Sequence, residues 1–123
     1  MGGGQWYKNR AGLLAIFSEI IARSSPPPTL VMVGKPLSKA DAELARQLGV
    51  TPHLLHLTAI SNDELAALYS LAHGLIFPSW DEGFGWPIAE AQACGCPVFT
   101  SNREPMTEVG GPAAVYFLSL IHI

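Results

Sequence analysis

A chain of 123 residues, 49% apolar and 14% charged, has the composition of one core-forming domain and lies outside the disordered class. A net charge of −3 without a basic stripe excludes a sequence-independent nucleic-acid binder, and two cysteines cannot staple a secreted miniature fold. Apolar runs such as those at 30–33 and 74–77 fall far short of the roughly 20 residues of a transmembrane segment, and no charged, apolar leader opens the chain, so the reading is a soluble cytoplasmic domain.

Leu13, Leu14, Phe17, Ile20 and Ile21 recur at helical spacing and predict a helix over residues 7–23. Ser24-Ser25-Pro26-Pro27-Pro28 ends it, because proline has no N–H to donate. Thr29-Leu30-Val31-Met32-Val33 shows no polar alternation and reads as a strand buried on both faces. Gly34-Lys35-Pro36 breaks that strand. Leu37, Ala40, Leu44 and Leu48 then share one face of a second helix, with Gly49 as its C-cap. Residues 53–57 form the next strand, and Ser61-Asn62-Asp63-Glu64 has the pattern of a capping box. The helix opened there carries Leu65, Leu68, Tyr69 and Ala72 on one face. A strand at 75–77, a helix at 87–94 with Pro87 in its first turn, and strands at 97–100 and 113–117 complete the series. Strands mostly separated by helices have βαβ spacing, so the fold class is α/β: a doubly wound, Rossmann-like parallel sheet.

In open parallel sheets, ligands bind beyond the carboxyl ends of the strands, where loops lead into helices. The loop after residues 75–77 therefore matters most: Pro78-Ser79-Trp80-Asp81-Glu82-Gly83-Phe84-Gly85-Trp86-Pro87. Gly83 and Gly85 bare the backbone at a helix N-terminus, where N–H groups attract anions. Glu82 precedes that turn and Glu90 stands one turn inside the helix, placed to accept hydrogen bonds from ribose hydroxyls. Alone, a Gly-x-Gly before a helix is more often a tight turn, and a single glutamate there more often complements the helix dipole. The strand, turn, helix and paired carboxylates together favour a site.

Competing readings are weaker. Cys94 and Cys96 are too closely spaced for a zinc pair and read as structural thiols. His53 and His56 lack a carboxylate cluster and read as core or strand-end histidines, and His73 complements a helix C-terminus. Trp6, Trp80 and Trp86 read as packing residues, with Trp80 and Trp86 flanking the site where an acceptor could stack.

The run Phe77-Pro78-Ser79, Glu82-Gly83-Phe84-Gly85-Trp86-Pro87, Glu90-Ala91 and Ala93-Cys94-Gly95-Cys96-Pro97-Val98 resembles the signature of the group 1 glycosyltransferases (family 4, GT-B fold). Glu82 and Glu90 match that family's Glu-x7-Glu pair. The similarity reaches back through Glu64–Ala72 and Tyr7-Lys8-Asn9-Arg10, and forward through residues 108–114. The resemblance implies that Glu82 approaches the transferred sugar and that Glu90 holds the donor ribose. It further implies that Gly83, Phe84 and Gly85 offer backbone N–H groups to sugar or diphosphate, that Lys8 neutralises the leaving diphosphate, and that Ile60 lines the base. The implied reaction is retaining transfer of a hexosyl group, mannosyl among the options, from a nucleotide diphosphate sugar to a glycan or lipid acceptor. Neither a cofactor nor a bound metal is implied. Many members carry an arginine six residues before the lysine; Gly2 stands there, leaving Arg10 or Lys35 as substitutes.

By the same resemblance, the family's first strand would end near Met1, and an N-terminal acceptor-binding domain would precede it. Residues 1–118 then form an incomplete donor-binding domain, and Ser119-Leu120-Ile121-His122-Ile123 is a tail unlike the family. In strand order 3-2-1-4-5-6 the first strand is central, so the strand at 29–33 would lose a neighbour. Any membrane association would belong to the missing domain. The alternative is a stand-alone nucleotide- or sugar-binding module on the same fold; a flavodoxin-like receiver gives no reason for the paired glutamates.

Overall fold

Helix α1 spans Arg10–Ala22 and starts from Asn9, whose side chain accepts from the Gly12 N–H at 3.1 Å. The structure, a computed structural model, describes residues 9–78, 86–101 and 106–117. A Cβ at position 12 would run into the Asn9 side chain, so the cap requires glycine there. Strand β1 (Leu30–Val33) follows the proline-rich turn, and α2 (Lys39–Leu48) begins at the Ser38 cap. Leu37 precedes that cap instead of joining the helix, yet still packs against the core. Gly49 closes α2 in the left-handed conformation.

A 3-10 turn over Thr51–His53, started by Pro52, precedes β2 (Leu54–Leu57), so His53 falls outside the strand. β1 and β2 pair in parallel, Leu30 opposite Leu54 and Val33 opposite Leu57. Leu14, Phe17, Ala45 and Val50 form the core between these elements, and Leu30 and Leu54 pack on it. The expectation that residues 29–33 are buried on both faces is corrected. Met32 is buried, but Val31 and its cross-strand partner Leu55 are exposed. Side chains of a strand alternate between faces, and α1 and α2 cover only the Leu30 side.

The second compact unit begins at Ile60. Helix α3 (Asn62–Leu71) opens with the full capping box: Ser61 Oγ accepts from the Glu64 N–H at 3.1 Å, and Glu64 Oε1 accepts from the Ser61 N–H at 2.8 Å. These bonds hold the Glu64 carboxyl below its ordinary range, the Ser61 backbone N–H contributing most. Strands β3 (Leu75–Phe77), β4 (Val98–Ser101) and β5 (Val115–Phe117) form a parallel sheet in that order, with α4 (Trp86–Ala93) and α5 (Met106–Gly110) packed on it. Ile88, Ala91, Val98, Thr100 and Met106 are its buried centre. Phe99 and Val115, paired across the ladder, lie on the exposed face.

The last strand is shorter than predicted. Gly111–Ala113 form a 3-10 turn, with Gly111 left-handed at φ 58° and Pro112 unable to donate to a ladder. Helix α5 has too few residues for a periodic signal and is not anticipated by the sequence reading. Among the described residues, no helix is long and apolar enough to cross a membrane.

Candidate functional site

Glu90 lies on the fifth residue of α4, the helix that follows β3, with its side chain exposed. The helix is short and stopped firmly. Gly95 takes φ 74°, its N–H donates to the Gln92 carbonyl at 3.0 Å, and the Cys96 N–H donates to the Ala91 carbonyl at 2.9 Å. Gln92 Nε2 donates to the Gly110 carbonyl at 2.9 Å, tying α4 to α5. Three successive residues of one helix thus divide the work: Ala91 and Gln92 fasten the helix, and Glu90 is left to solvent.

Strand β3 is held at its C-terminal end. Thr100, with no solvent access, donates from Oγ1 to the Phe77 carbonyl at 2.7 Å. Phe77 and Pro78 are themselves buried. Tyr116 Oη donates within the next turn to the Gly111 carbonyl at 2.6 Å. Sequence reading did not single out Thr100, Gln92 or Tyr116 for this support. Their only local signal is a polar side chain on an otherwise apolar face.

Of the expected catalytic and donor-binding residues, Ile60 and Glu90 are among the described residues. Ile60 is half-buried and immediately precedes the Ser61 cap of α3, and α3 packs against α4, which carries Glu90. Lys8, Glu82, Gly83, Phe84 and Gly85 lie outside the described residues, as do Trp6, Trp80 and the tail at 119–123. Trp86, at the start of α4, is 66% exposed.

The α3–α4 interface has a polar feature that the sequence reading placed merely on a helix face. Tyr69 is 5% exposed, and its hydroxyl, with no access to solvent, has no hydrogen-bond partner. Burial pushes its phenol well above the ordinary tyrosine range, and the charges of Glu90, Cys96 and Cys94 add to that shift, as does the Glu90 carboxylate acting as an acceptor within reach but outside full bonding geometry. The phenol is therefore a proton donor throughout the physiological range. Cys94 and Cys96 are free thiols, Cys96 buried and held above its ordinary pKa first by burial and then by Cys94. Their place at the end of α4 is that of packing groups.

In the first unit Arg10 is buried and donates from Nη1 to the Lys35 carbonyl at 2.7 Å and the Pro36 carbonyl at 3.2 Å. It fastens the N-terminus of α1 to the turn after β1. Burial lowers its pKa, and Asp41 opposes the shift. His56 Nε2 lies 3.1 Å from the Gly34 carbonyl on the same turn. A shallow depression on α1, lined by Ala15, Ile16, Glu19, Ile20 and Arg23, contains none of the expected site residues.

Parallel strands joined through helices define an α/β, Rossmann-like type of fold, with Glu90 exposed one turn inside the helix after β3. The sequence profile of the family described as "Glycosyl transferases group 1" matches residues 1–117, and the chain belongs to that family. It is 36% identical over 97 residues to the D-inositol 3-phosphate glycosyltransferase of Rhodococcus erythropolis, covering 73% of this chain and 22% of that protein. It is 42% identical over 60 residues to the O-antigen chain mannosyltransferase B of Escherichia coli, covering 49% of this chain and 16% of that one. The sucrose-phosphate synthase of Thermosynechococcus elongatus superposes on 94% of this chain and 30% of its own, with TM-score 0.75 and 25% identity. The C-terminal domain of a glycosyl transferase group 1 family protein from Francisella tularensis superposes on 96% of this chain and 65% of its own, with TM-score 0.73 and 19% identity. The GT-B fold expected from the motif is thus shown. The chain spans about a fifth of the length of the curated relatives that it matches.

Proposed function

We propose that this chain is the donor-binding part of a retaining glycosyltransferase that moves a hexosyl group from a nucleotide diphosphate sugar to a hydroxyl acceptor. The observation that carries the reading is Glu90: an exposed carboxylate one turn inside the helix after β3, in a chain of the group 1 family. A carboxylate accepts from two hydroxyls at once and suits the vicinal hydroxyls of a ribose. Ile60 supplies apolar surface for the base. Gly83, Phe84 and Gly85 offer N–H groups to the sugar or diphosphate, and Lys8 adds a positive charge beside the leaving group.

In the transfer, the bond between the sugar's anomeric carbon and the diphosphate oxygen breaks. A bond from that carbon to the acceptor oxygen forms on the same face, the acceptor proton is released, and the nucleoside diphosphate leaves. Glu82 faces the reacting sugar, where a carboxylate stabilises positive charge developing at the anomeric carbon. The mannosyltransferase among the relatives supports mannose as one candidate sugar. No aspartate pair of metal-binding type accompanies the paired glutamates in the sequence, so Lys8 and the backbone N–H groups carry the neutralisation of the diphosphate.

The test uses the whole transferase. Glu90→Ala is expected to weaken nucleoside diphosphate binding by about 1–3 kcal/mol in calorimetry, the range for hydrogen bonds to a charged group. Unchanged affinity removes the ribose role. Glu82→Gln is expected to lower kcat far more than it weakens donor binding, and full turnover in that variant removes its assignment to the reacting sugar.

A further inference from the structure

The Tyr69 hydroxyl is anomalous in energetic terms. A buried hydroxyl without a partner costs stability that phenylalanine, of nearly the same shape, would not, and native interiors seldom keep one without a use. Tyr69 is 95% withdrawn from solvent on α3, and its hydroxyl is unpaired. Glu90 on α4 acts on it through its charge and as a side-chain acceptor within reach, short of full hydrogen-bond geometry. Glu90 is itself exposed, open to a ligand from solvent. Of the two cysteines that also act on it, Cys96 already directs its thiol to the Pro97 carbonyl at 3.6 Å. Glu90 is thus the acceptor best matched to a phenol that only donates.

We propose that Tyr69 is a positioning residue for Glu90: its buried hydroxyl donates to one carboxylate oxygen when a ribose engages the other. The inference rests on the reading of Glu90 as the ribose carboxylate. A carboxylate at the end of a mobile side chain loses rotamer freedom when it grips a ligand, and a donor fixed in the protein interior reduces that loss. The orphaned hydroxyl is then a partner held in reserve, satisfied in the bound state. A hydrogen bond from Tyr69 also turns the remaining lone pairs of the carboxylate outward, toward two hydroxyls in place of water.

The experiment compares the whole transferase with its Tyr69→Phe and Glu90→Ala variants, by calorimetry, against guanosine, uridine and adenosine diphosphates and their 2′,3′-dideoxy forms. The ratio of ribo to dideoxy affinity reads the carboxylate–ribose contact alone. Tyr69→Phe is expected to lower that ratio about three- to tenfold, a part of the loss for a hydrogen bond to a charged group. It should leave dideoxy affinity unchanged. Its melting temperature should equal or exceed that of the wild type, since an unpaired buried hydroxyl is removed. Glu90→Ala is expected to abolish the ratio, and Tyr69→Phe should then have no further effect on it. If Glu90→Ala abolishes the ratio and Tyr69→Phe preserves it, the positioning role is overturned and the ribose role stands. If Glu90→Ala preserves it, the ribose role fails, and the positioning role with it. A Tyr69→Phe variant that weakens ribo and dideoxy forms equally, with a lowered melting temperature, assigns Tyr69 to packing and overturns the proposal.

Discussion

Replacing Thr100 by valine removes one hydroxyl from a position with no solvent access and leaves the local shape nearly unchanged. That hydroxyl donates to the Phe77 carbonyl at 2.7 Å, across the β3–β4 pair at the C-terminal end of β3. A neutral hydrogen bond contributes about 0.5–1.5 kcal/mol net, and desolvating a carbonyl that loses a partner adds to the loss. No cavity forms, so the total expected is about 1–2 kcal/mol. Thr100→Ser is the control: it keeps the hydroxyl and deletes a buried methyl, at about 1 kcal/mol from transfer and the small void. The two variants thus reach similar stabilities by different routes. Hydrogen exchange separates them. In Thr100→Val the β3 amides around Phe77 should exchange faster relative to the rest of the unit, because the strand end is released. In Thr100→Ser the loss should be spread over β4 and the buried face of α4. A Thr100→Val variant as stable as the wild type, with β3 protection unchanged, would show that the bond holds nothing in place and that packing alone fixes the strand end.

Two further outcomes follow from the same packing. Leu14→Ala, in the fully buried cluster with Phe17, Ala45 and Val50, is expected to cost about 2–5 kcal/mol by urea unfolding; a loss below 1 kcal/mol would place that cluster outside the stabilising core. Glu64, held below its ordinary pKa by the Ser61 bonds, contributes stability that is present above its unfolded value and lost as pH falls through the lower folded one. In melting scans over that acid window, Glu64→Gln should flatten this part of the pH dependence, and a profile identical to the wild type would refute the linkage.

Much of this protein was legible in the chain because the signals are local. Apolar spacing marks α1, α2 and α3, and the Ser61 and Glu64 pair announces the cap of α3 three residues ahead. Gly49 marks the end of α2. The residues from Phe77 to Val98 carry the most specific part of the family resemblance, since Gly83, Gly85 and the Glu82 and Glu90 pair fall within one short stretch of chain.

Other features need segments that the sequence does not place side by side. Whether Val31 is buried depends on which side of β1 receives helices, and only the packed structure leaves it and Leu55 exposed. Arg10 reads from sequence as a free cation that could replace a missing arginine. Its Nη1 is instead engaged by carbonyls 25 and 26 residues away, which no local pattern encodes. The 3-10 turn at Gly111 shortens β5, because a left-handed residue followed by proline outweighs the apolar run behind it. Tyr69 is a periodic apolar position in the sequence and a buried, unpaired donor in the structure. Periodicity reports which face of α3 turns inward, whereas α4 decides what the hydroxyl meets there.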